Sequence, residues 1–231
     1  MKGLFVGKVK KIGIISIISI VILSYGLFFY MQGITEYNIK NSLFEQQKDR
    51  QGESVLSIAQ NIESDINLVT LMLDGLANSA YFQEGELYSQ QAKRLMEEKY
   101  RQFDSVVDRL FVLDKNEVVT SSITQSGSET FVGNDLSLRE WVSETRNALR
   151  PVISNGFERQ GIYTIFITYP IINRDSKEYV GMVVTSIPTE KFFSHYGNVR
   201  DSNSPFLVAY DKNGTILADG ANDELVGDSF F

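Results

Sequence analysis

From Ile12 to Met31 the sequence reads IGIISIISIVILSYGLFFYM, twenty residues without a charge. A helix of that length spans about 30 Å, the thickness of the hydrocarbon core of a bilayer. Lys2, Lys8, Lys10 and Lys11 precede the run, whereas Glu36, Lys40, Glu45, Lys48, Asp49 and Arg50 mix both signs after it. The positive-inside tendency therefore keeps residues 1–11 cytoplasmic, takes residues 12–31 through the cell membrane and puts everything after about Gln32 outside. Tyr25, Phe28, Phe29 and Tyr30 suit the aromatic belt of an interface. A cleaved signal peptide would have a shorter apolar core and a small-residue cleavage site. This run ends in bulky aromatics, so an uncleaved anchor is expected.

With the four lysines set apart, 18 basic and 29 acidic residues remain, a net charge of −11. A surface that acidic excludes nucleic acid and anionic lipid headgroups as partners. The absence of cysteine excludes disulfides, thiolate metal sites and cysteine nucleophiles. His195 is the sole histidine, with no metal-spaced partner, and the chain has neither a Gly-rich phosphate loop before a helix nor HExxH. No metal, no cofactor and no enzymatic activity are expected in this chain.

After the span a polar stretch rich in Gln, Lys and Glu leads to Val55, Ile58, Ile62, Ile66, Val69, Leu73 and Leu76, one apolar stripe at helical spacing. The helix should end near residues 78–81. A second, charged helix is expected over 87–103. The period then becomes strand-like: residues 110–113 and 118–120 form a hairpin turned by Asp114-Lys115-Asn116-Glu117. Residues 121–129 read as loop, and 136–149 as a helix with Ser137 as N-cap and Glu140 completing a capping box. Strands are expected at 151–154, 163–169 and 179–187, with a turn at 173–177 and a connecting helix at 190–196. The fold class is α+β, an antiparallel sheet with the N-terminal helices packed against it.

A repeat runs through the second half. LFVLDKNEVVTSS (110–122) recurs as FLVAYDKNGTILAD (206–219), and Phe131-Val132-Gly133 is echoed by Leu225-Val226-Gly227. The first copy continues into a helix and three strands, whereas the second reaches Phe231 as a half-sheet unable to bury its apolar face. A truncated second module is therefore expected. The aspartates and asparagines of the two turns suggest calcium only superficially, since a tight turn accounts for them. Asn213-Gly214-Thr215 fits the N-glycosylation pattern weakly.

The segments DKNEVVTSS, FVGNDLSLREW and PVISNGFERQGIYTIFITYPIINRDSKEYVGMVV, in this order after a long helix, resemble the double Cache sensor domains of prokaryotic chemoreceptors and sensor histidine kinases. The resemblance covers roughly Gln32 to the end. It implies stalk and long helices over 32–104, a PAS-like membrane-distal module over 105–196 that holds the ligand, and the start of a membrane-proximal module over 197–231. Amino-acid-binding members carry Arg-x-Trp after the first hairpin, matched here by Arg139-Glu140-Trp141. A guanidinium fork suits a carboxylate and the indole supplies a rigid wall. Val142 and Asn134 replace two aromatics of that motif, and Thr185-Ser186 stands where an aspartate would balance an ammonium. The resemblance thus points to an uncharged or carboxylate ligand held by Arg139, Trp141, Tyr163, Tyr169 and Ser186. Tyr163, Ile165, Ile167 and Tyr169 share one strand face, on which aromatics serve either as core or as ligand wall.

The expected function is signal input: a small molecule enters the distal sheet of a membrane-anchored homodimer and shifts the long helix. Two rivals stay open. One is an adhesion or scaffold protein whose distal cavity is filled by its own side chains. The other is the input half of a kinase or cyclase whose catalytic domain lies downstream.

Overall fold

The computed structural model describes residues 2–103, 106–124, 131–159, 161–196, 207–220 and 222–230, with side chains from Ile18 onward except that of Asp223. The chain divides into two compact units, Met1–Ser57 and Ile58–Phe231. The first unit is helical throughout its described residues, part of α1 (Lys2–Ala77). Its described apolar side chains from Ile18 to Met31 are exposed: Leu23 is 72% exposed and Phe29 65%. Among the described residues this is the one helix long and apolar enough to cross a membrane.

In the second unit, α1 acquires its core face progressively. Val55, just before the boundary, is exposed; Ile62 and Ile66 are half-buried; Val69, Leu73 and Leu76 are buried. The helix ends at Ala77, where the periodicity predicts. After the short α2 (Ala80–Gln83), α3 (Gln90–Tyr100) starts three residues later than the charge pattern suggests. The reason is Ser89, whose hydroxyl caps the helix by accepting the Ala92 N–H at 3.1 Å.

The main sheet is six-stranded, from β1 (Arg109–Asp114), β2 (Val119–Thr124), β3 (Val152–Ile153), β4 (Phe157–Arg159), β5 (Ile162–Ile172) and β6 (Tyr179–Pro188). The order is β2-β1-β6-β5-β3, with β4 also paired to β5, and every pairing is antiparallel. Three departures from the sequence expectations have local causes. Residues 121–124 are strand, not loop, because β1 supplies a full ladder down to Arg109↔Thr124; residues 125–129 lie outside those described. Helix α4 (Glu140–Ala148) is capped by Arg139, not by Ser137. Asp135 accepts the Ser137 N–H at 2.8 Å and holds the preceding residues in a turn, which rules out the capping box. Strand β4 falls between the strands expected at 151–154 and 163–169, where β5 extends to Ile162 and pairs with it from Phe157↔Thr164 to Arg159↔Ile162.

Strand alternation gives the sheet two unlike faces. One carries Leu110, Val112, Ile165, Ile167, Ile171, Val183 and Ile187 against α1 and α3. The other carries Phe111, Leu113, Phe166, Met182 and Val184 under α4. Helix α5 (Thr189–Phe193) then leads toward a second hairpin, β7 (Val208–Tyr210) and β8 (Ile216–Asp219).

The two hairpins repeat bond for bond. Asp114 Oδ1 accepts the N–H groups of Asn116 and Val118; Asp211 Oδ1 accepts those of Asn213 and Thr215. Gly133 N–H donates to Val119 O, and Gly227 N–H to Ile216 O, both at 2.8 Å. At the left-handed turn position the second copy uses Gly214 (φ 81°), whereas the first uses Glu117 (φ 66°). A side chain there costs about 1 kcal/mol or more, so Glu117 is held by its surroundings. It is 1% exposed, accepts from the Tyr179 hydroxyl at 3.2 Å and pairs with Arg146 at 3.4 Å.

Candidate functional site

The face under α4 is aromatic. Trp141 stacks on Phe166 (centroids 4.8 Å apart, planes 19°), and Phe166 stacks on Phe157 at 5.6 Å. Phe111 meets Trp141, Phe166 and Phe131 edge-on at 6.5, 6.3 and 5.2 Å. Helix α4 delivers Trp141 because Thr145, one turn on, is bonded to Thr168 of β5 at 2.5 Å and to the Trp141 carbonyl at 2.7 Å. Each end of this aromatic file carries a cation. The Arg139 guanidinium lies 5.3 Å from the Phe157 centroid, and that of Arg109 lies 4.5 Å from the Phe131 centroid.

The two arginines differ. Arg139 is solvent-exposed, whereas Arg109 is 9% exposed and its Nε has no hydrogen-bond partner. Burial lowers the Arg109 pKa, and the neighbouring charge of Arg159 lowers it further. Ser186, opposite Arg109 in the β1–β6 register, is fully buried with its hydroxyl unpartnered. Ser122, opposite Phe111, is also unpartnered and lines a separate cleft of about 190 Å³ between β2 and the start of α3, with Leu87, Tyr88 and Val132.

Of the residues named from the sequence, Arg139, Trp141 and Ser186 come to this one face. Tyr163 and Tyr169, at odd positions on β5, lie on the other side of the sheet, as strand alternation requires. Tyr169 bonds Asp74 of α1, and this together with burial pushes its pKa up to about 12. The Tyr163 hydroxyl lies against Gly227 of the second hairpin. Tyr196 similarly donates to Asp65 of α1. Arg109 escaped the sequence reading because it was taken as the boundary before 110–113. Its signal was parity: two residues before Phe111, it must share that residue's face.

Residues 68–188, just over half of the chain, match the family described as HK/GC/Chemotaxis protein-like, sensor domain. The chain belongs to this family, the sensor domains of histidine kinases, cyclases and chemotaxis receptors. No curated protein matches it. Among solved structures it is similar to the ligand-binding domain of Campylobacter jejuni chemoreceptor Tlp3 in complex with L-valine: 15% identity, TM-score 0.61, covering 83% of this chain and 78% of that one. The ligand-binding domain of the Pseudomonas aeruginosa amino acid chemoreceptor PctC in complex with GABA is similar at 18% identity and TM-score 0.59, covering 78% of each chain. An extracellular ligand-binding receptor from Desulfohalobium retbaense is similar at 17% identity and TM-score 0.56; the match covers 74% of this chain but only 32% of that receptor. The fold is the α+β fold of extracellular sensor domains, and the function of the domain is ligand sensing.

Proposed function

We propose that this chain is the sensing region of a membrane-anchored receptor whose small-molecule ligand binds against the aromatic face, between Arg139, Trp141 and Ser186. The observation that supports this most is the buried, cation-flanked aromatic file on the face away from α1, in a domain of a sensor family. Residues 1–11 are cytoplasmic in this reading, 12–31 span the membrane, 32–104 are stalk and helices, 105–196 the distal module and 197–231 the start of a proximal one. The receptor works as a homodimer and passes its signal to an output domain, a kinase, a cyclase or a methyl-accepting domain. Binding alters how Val69, Leu73 and Leu76 seat on the sheet, provided the ligand prefers one seating over the other.

The test is a thermal-shift screen of the chain in lipid nanodiscs against carboxylates, amines, amino acids, purines and sugars. A ligand at a hundred times its dissociation constant adds about 2.7 kcal/mol, a visible rise in Tm. The rise should vanish with Trp141→Ala. If no compound shifts the Tm, a ligand-free scaffold is the better account.

A further inference from the structure

We infer that Arg109, with Ser186 beside it, holds the carboxylate of an organic acid that has an apolar body and no ammonium group. This rests on the sensor reading above and specifies its ligand. A guanidinium does not deprotonate in a protein, and burying one without a partner costs several kcal/mol. Arg109 is nine-tenths buried, its Nε has no hydrogen-bond partner, and among the described residues no carboxylate lies within ion-pair distance of it. Stacking on Phe131 suits the flat face of the group but leaves Nε without a hydrogen-bond partner. The second charge of Arg159, from β4 on the same face, adds to the need for an anion.

Among the described residues no anion pairs with Arg109. Glu117 is committed to Arg146 and Tyr179 at the opposite end of β1, and the negative charge of Asp108, though it favours the charged guanidinium, lies beyond ion-pair distance. Ser186 stands across the β1–β6 ladder from Arg109, where its unpartnered hydroxyl can donate to a second carboxylate oxygen. Phe131, Phe111, Phe166 and Trp141 continue from this point as an apolar wall for the rest of the molecule. An ammonium on the same ligand would meet the charges of Arg109 and Arg159, with no carboxylate in ion-pair contact with Arg109 among the described residues. The ligand is therefore unlike L-valine or GABA in its charge. Arg139, exposed at the far end, is screened by water and is not the anion holder.

Trp141 is the sole tryptophan, so tryptophan emission, excited where the tyrosines do not absorb, reports on this face alone. The full chain in nanodiscs is titrated with isovalerate, hexanoate and phenylacetate, with their amides and with L-valine. At least one carboxylate should bind saturably, about tenfold or more tighter than its amide and than valine. Arg109→Gln should lose about tenfold or more for that carboxylate with amide binding unchanged. The unliganded Tm of Arg109→Gln should equal or exceed wild type, since an uncompensated charge has gone. Should that variant fail to fold, Arg109→Lys replaces it: a drop of about threefold or more for the carboxylate alone supports the assignment, and no drop overturns it. Wild-type-like carboxylate affinity in Arg109→Gln, preference for valine, or no carboxylate binding beside binding by another class also overturns it, and each leaves the sensor reading standing. Silence from every class in the thermal-shift screen removes the sensor reading itself, and this assignment with it.

Discussion

The two faces of the central sheet are built from the same strands, yet they are satisfied differently. Toward α1 the core is mainly aliphatic, and two tyrosines at its border are paired, Tyr169 with Asp74 and Tyr196 with Asp65, although the Ser79 hydroxyl between α1 and α2 is buried without a partner. Under α4 the side chains are aromatic, and Arg109 Nε and Ser186 Oγ are buried without partners. Buried polar groups left open cost about 1–3 kcal/mol each. The difference teaches that one face is closed on itself, while the other carries an unrelieved cost of the kind that the proposed ligand would offset.

Substitutions should separate the faces. Ile167→Ala, at a fully buried position on the α1 side, should cost about 2–5 kcal/mol in chemical denaturation and leave the relative affinities of ligands unchanged. Phe157→Ala, half-buried under Arg139, should cost less than about 2 kcal/mol yet weaken ligand binding about tenfold in a Trp141 titration; equal losses of stability from both would break the comparison. Tyr169→Phe should remove a hydrogen bond worth about 0.5–1.5 kcal/mol without touching affinity. Its pH signature sharpens the assignment. With the folded-state pKa raised to about 12, the tyrosine's contribution is full below about pH 10 and is lost as pH rises through 12, so the variant's Tm should fall less steeply in that window. The smallest effect concerns Glu117, whose pKa burial raises, partly offset by Tyr179 and Arg146. Its contribution is greatest below about pH 4.3 and declines as pH rises through the raised folded value; Glu117→Gln should flatten that decline in Tm.

Much of the architecture was legible in residue spacing. The stripe from Ile62 to Leu76 named the core face of α1, and the paired DKN turns announced two equivalent hairpins, which repeat down to single hydrogen bonds. The site was half legible. Arg139 and Trp141 stood in a recognisable motif, but Tyr163 and Tyr169 were grouped with them by aromatic character when strand parity sent them to the opposite side. Arg109 was missed for the converse reason: a charged residue at a strand start reads as exposed, and only the ladder to Ser186 reveals it as buried. Helix α4 begins later than expected because the Ser137 N–H, which a capping box would donate to Glu140, donates to Asp135 instead.

The central claim is that the ligand meets the aromatic face, and Trp141 fluorescence during ligand titration tests it most directly. The account predicts that any small molecule that raises the Tm of the chain also shifts Trp141 emission saturably, with the same dissociation constant. A compound that raises the Tm while leaving Trp141 emission unmoved would put the site elsewhere and contradict it.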